Sequence, residues 1–196
     1  MIKPIAIIAG EPNSISSEII FKSWINRKKF KHKPFFIIGS FKLLNIQLKK
    51  IKFKIKIKKI DRNIKIKDLT GNELPVYDVN FIQKKPFDKI STKSSRYILE
   101  CFDKALKLIQ GKKIIGLINC PVSKEHLFKS KYQGVTEFLS NKNNKKYEAM
   151  LIYNKKLSVC PITTHIPINQ VSKKLNYITI INKVKIINNF YKKYFN

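Results

Sequence analysis

The sequence predicts an α/β protein built on a parallel sheet, and three observations carry that expectation. Ile5-Ala6-Ile7-Ile8-Ala9, Phe35-Phe36-Ile37-Ile38 and Ile114-Ile115-Gly116-Leu117-Ile118 are continuous apolar runs, as expected of strands buried on both faces. The first two end in loop residues, Gly10-Glu11-Pro12-Asn13-Ser14 and Gly39-Ser40. Each is followed by a segment with helical apolar spacing, and strand, helix, strand, helix is the pattern of an α/β domain.

Taken in order, Ser16 or Ser17 is expected to cap a first helix carrying Ile19, Ile20, Trp24 and Ile25. A short helix through Phe41, Leu44 and Leu48 follows the second run. From Ile51 to Ile57 the period becomes two, with Ile51, Phe53, Ile55 and Ile57 alternating with Lys52, Lys54, Lys56 and Lys58. That predicts a half-exposed strand with lysines on its wet face. Such a ladder serves either an anionic partner or, more ordinarily, a charged edge that resists aggregation. Ile64 to Ile66 and Val76 to Val79 read as short strands around the turn Thr70-Gly71-Asn72.

Ser94 to Gln110 is the clearest helix, with Tyr97, Ile98, Cys101, Phe102, Ala105, Leu106 and Ile109 on one stripe and Gly111 as its stop. Lys113 to Asn119 then reads as another buried strand. Tyr147 to Tyr153 and Leu157 to Ile162 read as a hairpin about Asn154-Lys155-Lys156, and Ile178 to Phe195 as a final helix. No repeat or low-complexity linker marks a boundary. The expected division is a first α/β domain over 1–125 and the start of a second over 126–196.

The chain has 196 residues, of which 43% are hydrophobic, enough to fill a core. It carries 41 Lys+Arg against 12 Asp+Glu, a formal charge of +29. That balance suits an anionic partner. However, Arg occurs only at Arg27, Arg62 and Arg96, whereas Arg is the residue of bidentate phosphate and base contacts. The lysines are spread along the chain, and Ile and Asn are over-used with them, so a compositional bias explains the charge and nucleic acid is expected to bind only non-specifically. Cys101, Cys120 and Cys160 are odd in number and far apart, which argues against a disulfide framework and for a reducing compartment. No apolar run approaches the roughly 18–20 residues that span a bilayer, and no membrane association is expected.

Three loops follow buried strands, where open α/β sheets place ligands. In Ala9-Gly10-Glu11-Pro12-Asn13, glycine permits close backbone approach and the acid adds polarity, though a glycine after a strand is common. In Asn119-Cys120-Pro121-Val122-Ser123-Lys124-Glu125, a helix begins at Ser123 with Lys124 in its first turn. A cation there opposes the helix dipole, as would be accepted if Lys124 must meet an anion. The third region joins Gln133-Gly134-Val135-Thr136-Glu137-Phe138 with Thr163-Thr164-His165-Ile166-Pro167. There His165 is either a structural histidine or a metal ligand. His32 and His126 read as surface residues. Dinucleotide-fold glycine fingerprints, phosphate-loop lysines and nucleophile elbows are all absent from the sequence.

In order and spacing, these segments resemble the 4-hydroxythreonine-4-phosphate dehydrogenase family. Pro4 to Pro12 looks like that family's opening strand and A-G-E-P loop. Asn119 to Lys124 looks like its A-P-[IV]-[NS]-K segment, Gly134 to Leu139 its G-H-T-E-F-L motif, and Thr163 to Pro167 its T-T-H-[IL]-P motif. The resemblance implies a three-layer α/β/α fold like isocitrate and isopropylmalate dehydrogenases, with two units around a cleft, acting as a cytoplasmic homodimer. It implies oxidation of 4-phosphooxy-L-threonine by NAD or NADP, assisted by a divalent metal (Zn, Mg or Co). The β-keto acid formed decarboxylates on the way to pyridoxal phosphate, vitamin B6. It implies that His165 is a metal ligand, that Thr136 contacts the substrate, and that Lys124 and Asn119 line the site.

Two departures matter. Val135 stands where the family has a histidine that contacts substrate, and Asn13 to Ser17 lacks the family's glycines. The family also continues well beyond this length, with further histidine ligands and most of the cofactor site, while a catalytic cation wants about three protein ligands. The chain is therefore expected to be a truncated or split product with an exposed sheet edge, poor metal and cofactor binding, and no turnover alone. The alternatives are a sister dehydrogenase of erythronate or threonate phosphate, a basic anion-binding remnant, and an inert remnant that misfolds.

Overall fold

The computed structural model describes residues 3–29, 33–61, 63–145 and 147–195. His32 lies outside them. Contacts divide the chain into two units, Met1–Leu127 and Phe128–Asn196.

The first unit is a five-stranded sheet. β1 (Ile5–Ile8), β2 (Phe35–Gly39), β3 (Ile57–Ile60), β4 (Leu74–Asp78) and β5 (Gly116–Asn119) lie in the order β3-β4-β2-β1-β5. Every pairing is parallel; Ile5 sits between Phe35 and Gly116, and Ile8 between Ile38 and Asn119. This bears out the expected α/β class. The helices of this unit are α1 (Ser16–Ile25), α2 (Phe41–Lys50), α3 (Ser95–Gln110) and the short α4 (Lys124–Phe128), whose last residue begins the second unit.

Residue parity sorts the sheet faces. Ala6, Ile8, Phe36 and Ile38 are fully buried on the face to which α3 brings Ile98, Cys101, Phe102 and Ala105. Ile7, Phe35 and Ile37 face the other way, into a cluster with Ile20, Phe21 and Trp24 of α1 and Leu44 and Leu48 of α2. The sheet is thus the middle of three layers.

Several local expectations are corrected. Ser16 and Ser17 do not cap α1; they lie buried inside it, and Ser14 Oγ accepts the Ser16 N–H at 3.2 Å. Ser40 does cap α2, accepting from Leu43 N–H. Burial alternates from Ile51 to Ile57 as the period of two predicts, but ladder pairing begins only at Ile57, on the edge strand β3. Ile66–Asp68 is a 3-10 turn rather than a strand. β5 is an edge and not a buried strand: Ile115 and Ile118 are 48% and 53% exposed. Gly111 does end α3, but Lys112, at φ 54°, takes the left-handed position.

In the second unit, α5 (Val135–Lys142), α6 (Val171–Lys174) and α7 (Tyr177–Tyr194) are helical. The expected hairpin reduces to one antiparallel bridge, Ile152 with Val159. α7 forms where expected, yet none of its described residues is buried. Among the described residues no helix is long and apolar enough to cross a membrane.

Gln47, fully buried on α2, donates from Nε2 to the carbonyls of Pro12 at 2.7 Å and Pro86 at 2.9 Å, tying two loops to one helix. Gln47→Leu leaves both carbonyls without that donor. It is expected to lower unfolding free energy by about 1–3 kcal/mol, measured by urea denaturation.

Candidate functional site

In the strand order, the connection after β1 runs toward β2 while β5 arrives on β1's other side. The β1/β5 boundary is therefore the topological switch point, outside whose carboxyl ends open α/β sheets hold ligands. The loops after these two strands meet there. Gly10 is at φ +71°, and a Cβ on it would stand 2.5 Å from the Pro121 carbonyl oxygen and 2.9 Å from that of Cys120. With no side chain in the way, Glu11 N–H donates to Pro121 O at 2.8 Å, and Ser16 Oγ reaches the same carbonyl at 3.4 Å.

Glu11 itself is 1% exposed. Its carboxylate accepts from Asn13 N–H at 3.1 Å and from Ser94 Oγ at 2.7 Å. It holds the loop and the start of α3 together, a partnership across 83 residues that the sequence did not reveal. Cys120 is buried beside it, and burial pushes its thiol up to about 11, which keeps it protonated and unreactive at neutral pH.

Asn119 ends β5, half-buried, its side-chain N–H donating to Cys120 O at 3.2 Å. Lys124 opens α4 and is exposed. Ser123 shares a 2.8 Å hydrogen bond with His126 Nδ1, and His126, read from the sequence as a surface residue, is half-buried.

The second unit gathers the remaining candidates. Gly134 precedes α5 in an extended conformation, placing Val135 and Thr136 in the first turn, both half-buried. Helix N-termini present free N–H groups that suit an anion. His165 has φ 57°, the sparsely populated left-handed region, and is exposed. A Cβ on Gly134 would lie 2.9 Å from Glu137 Oε2 and 4.0 Å from His165 Nε2. Glu137 Oε2 is buried with no hydrogen-bond partner. The structure thus brings Gly134, Glu137 and His165 together, with Thr136 on the same first turn. Glu137 was not singled out from the sequence, although an acid three residues after a helix-opening glycine is a recognisable signal.

Among the described residues no three His, Cys, Asp or Glu side chains gather as a metal site. His165 offers one donor, so the described residues do not by themselves fit a catalytic cation.

The sequence profile described as pyridoxal phosphate biosynthetic protein PdxA matches residues 31–196. A 4-hydroxythreonine-4-phosphate dehydrogenase from Sulfurihydrogenibium sp. is 32% identical over 97% of this chain and 58% of its own length. A D-threonate 4-phosphate dehydrogenase from Salmonella typhimurium is 26% identical over 97% of the chain and 59% of its own. In structure, 4-hydroxythreonine-4-phosphate dehydrogenase from Klebsiella pneumoniae superposes with a TM-score of 0.83 at 24% identity, over 98% of this chain and 59% of that one. The chain therefore spans somewhat more than half the length of these relatives.

The loop junction gives a direct test. Gly10→Ala combines left-handed strain of about 1–2 kcal/mol with a clash against Pro121 O, and is expected to cost more than that in a denaturant titration. Gly116→Ala, with nothing within 4 Å of its new methyl, is expected to change stability by less than about 1 kcal/mol.

Proposed function

This chain belongs to the PdxA family of pyridoxal phosphate biosynthetic proteins, and from that premise we propose that it serves the oxidation of 4-phosphooxy-L-threonine. In this reading the secondary alcohol gives a hydride to NAD or NADP and releases its proton. The resulting β-keto acid loses carbon dioxide on the way to pyridoxal phosphate. The observation that supports the reading is 32% identity to a 4-hydroxythreonine-4-phosphate dehydrogenase over 97% of this chain.

The residues divide the work by chemistry. Lys124 is exposed and supplies positive charge for the phosphate. Thr136 offers a hydroxyl beside the free N–H groups that open α5, suited to an anionic group of the substrate. Asn119 supplies an amide at the carboxyl end of β5. His165 is a metal donor, and its partner ligands are not gathered around it among the described residues. A divalent cation, Zn, Mg or Co, would supply alkoxide stabilisation when bound. Cytoplasmic action fits the free thiols of Cys101, Cys120 and Cys160, and the working form is a homodimer.

One observation favours a second reading. Val135 removes a polar side chain from the first turn of α5, beside Thr136. A relative carrying the name D-threonate 4-phosphate dehydrogenase aligns over the same span, so a substrate without the amino group is the alternative.

The test joins this chain to the portion of the Sulfurihydrogenibium relative with which it does not align, and follows nicotinamide reduction with each substrate. Turnover is expected with 4-phosphooxy-L-threonine and not from the chain alone. Thr136→Ala is expected to raise KM by about 10-fold or more. Preference for D-threonate phosphate would favour the second reading, and reduction with neither substrate would overturn both.

A further inference from the structure

The connection from β4 to α3, residues 79–94, leaves the carboxyl ends of the strands, the side on which open α/β sheets hold ligands. Together with Asn13 of the loop after β1 it encloses a cavity of about 370 Å³. Lys84, Lys85, Lys89 and Lys93 line that cavity, with Asp88 as its one carboxylate. Asp88 Oδ1 accepts the Lys89 backbone N–H at 2.9 Å. Among the described residues none of the four ammonium groups makes an ion pair or a hydrogen bond. Cations crowded around a concave surface repel one another, and such a surface focuses their field on an anion that enters.

Composition accounts for the number of lysines but not for the frame that carries these four. Asn13 Oδ1 accepts from Gln83 Nε2 and from Asp88 N–H, both at 2.9 Å. The buried Gln47 donates to Pro86 O at 2.9 Å. Ser91 O accepts from Ser94 Oγ at 3.1 Å, and Ser94 is itself held by the buried Glu11. The loop is thus pinned at four points, while its lysines face open space. Asn13 belongs to the stretch in which this chain departs from its family's glycines, so this frame depends on a side chain particular to it.

We propose that this cavity is an anion subsite for a phosphorylated small molecule, separate from the residues assigned above to the substrate. Each ammonium is a compact charge with three donors, and several around one cavity match the many oxygens of a phosphoryl group better than a single carboxylate. The inference does not depend on the activity proposed above, because binding is read without turnover.

The probe is inorganic pyrophosphate, titrated calorimetrically into the intact chain at about 0.15 M salt, where charges more than about 8 Å apart are largely screened. One saturable site is expected. Lys84→Gln, Lys85→Gln, Lys89→Gln and Lys93→Gln, made together, are expected to weaken it by about tenfold or more. The same change at the exposed Lys49, Lys50, Lys52 and Lys54 is expected to weaken it by less than about twofold. Asn13→Ala removes no charge, yet is expected to weaken binding by about threefold or more, because two bonds of the frame lose their acceptor. Circular dichroism checks that each variant keeps its fold. Displacement of pyrophosphate by 4-phosphooxy-L-threonine or by NADP upholds the site and identifies whose phosphate it takes; displacement by neither upholds it for a free oligophosphate. The proposal is overturned by the absence of saturable binding, by equal losses from the two lysine sets, or by an Asn13→Ala variant that binds as tightly as the parent.

Discussion

The contact between the loop after β1 and the loop after β5 is the constraint on which the first unit depends. β1 sits between β2 and β5, so its exit must clear both neighbours within a few residues. Gly10 does this at a backbone angle that costs other residues energy, and its missing side chain lets Glu11 N–H bond Pro121 O. Glu11 then turns inward and binds Ser94, which fixes the entry to α3. One glycine and one carboxylate thereby set the carboxyl end of the sheet, where Asn119 and Lys124 emerge.

Much of this architecture was legible. Ile5 to Ala9 and Phe35 to Ile38 are apolar because helices pack on both faces of the sheet, α3 on one and α1 with α2 on the other, although Ile5, Ile7 and Phe35 remain half-buried. Other features were not. Apolar content in Ile114 to Ile118 does not reveal whether a neighbouring strand is present, so an edge read as an interior strand. The alternation from Ile51 to Ile57 reports burial and not hydrogen bonding, so the strand itself begins only at Ile57. Ser14, rather than Ser16 or Ser17, receives the first helical N–H, and its hydroxyl also shares a 2.8 Å hydrogen bond with that of Ser16.

The site was legible to a different degree. Thr136, Val135, Lys124, Asn119 and His165 are nominated only by motif resemblance, because each residue alone has an ordinary structural reading. Physical pattern alone did not find Ser94 or Glu137. Ser94 acts through a partner 83 residues away, and Glu137 comes near His165 only through the fold, about a glycine whose missing side chain would meet both. The second unit holds its candidates on short helices and turns, with Phe138 buried beneath α5 and nothing buried on α7. Stability is therefore concentrated in the first unit, around β1.

Native-state amide hydrogen exchange tests that concentration most directly. The Glu11 and Cys120 amides, bonded to Pro121 O and Ile8 O, are expected to exchange only through global unfolding, while the amides of α7 exchange through local opening and orders of magnitude faster. A Glu11 amide exchanging as fast as those of α7 would contradict the account.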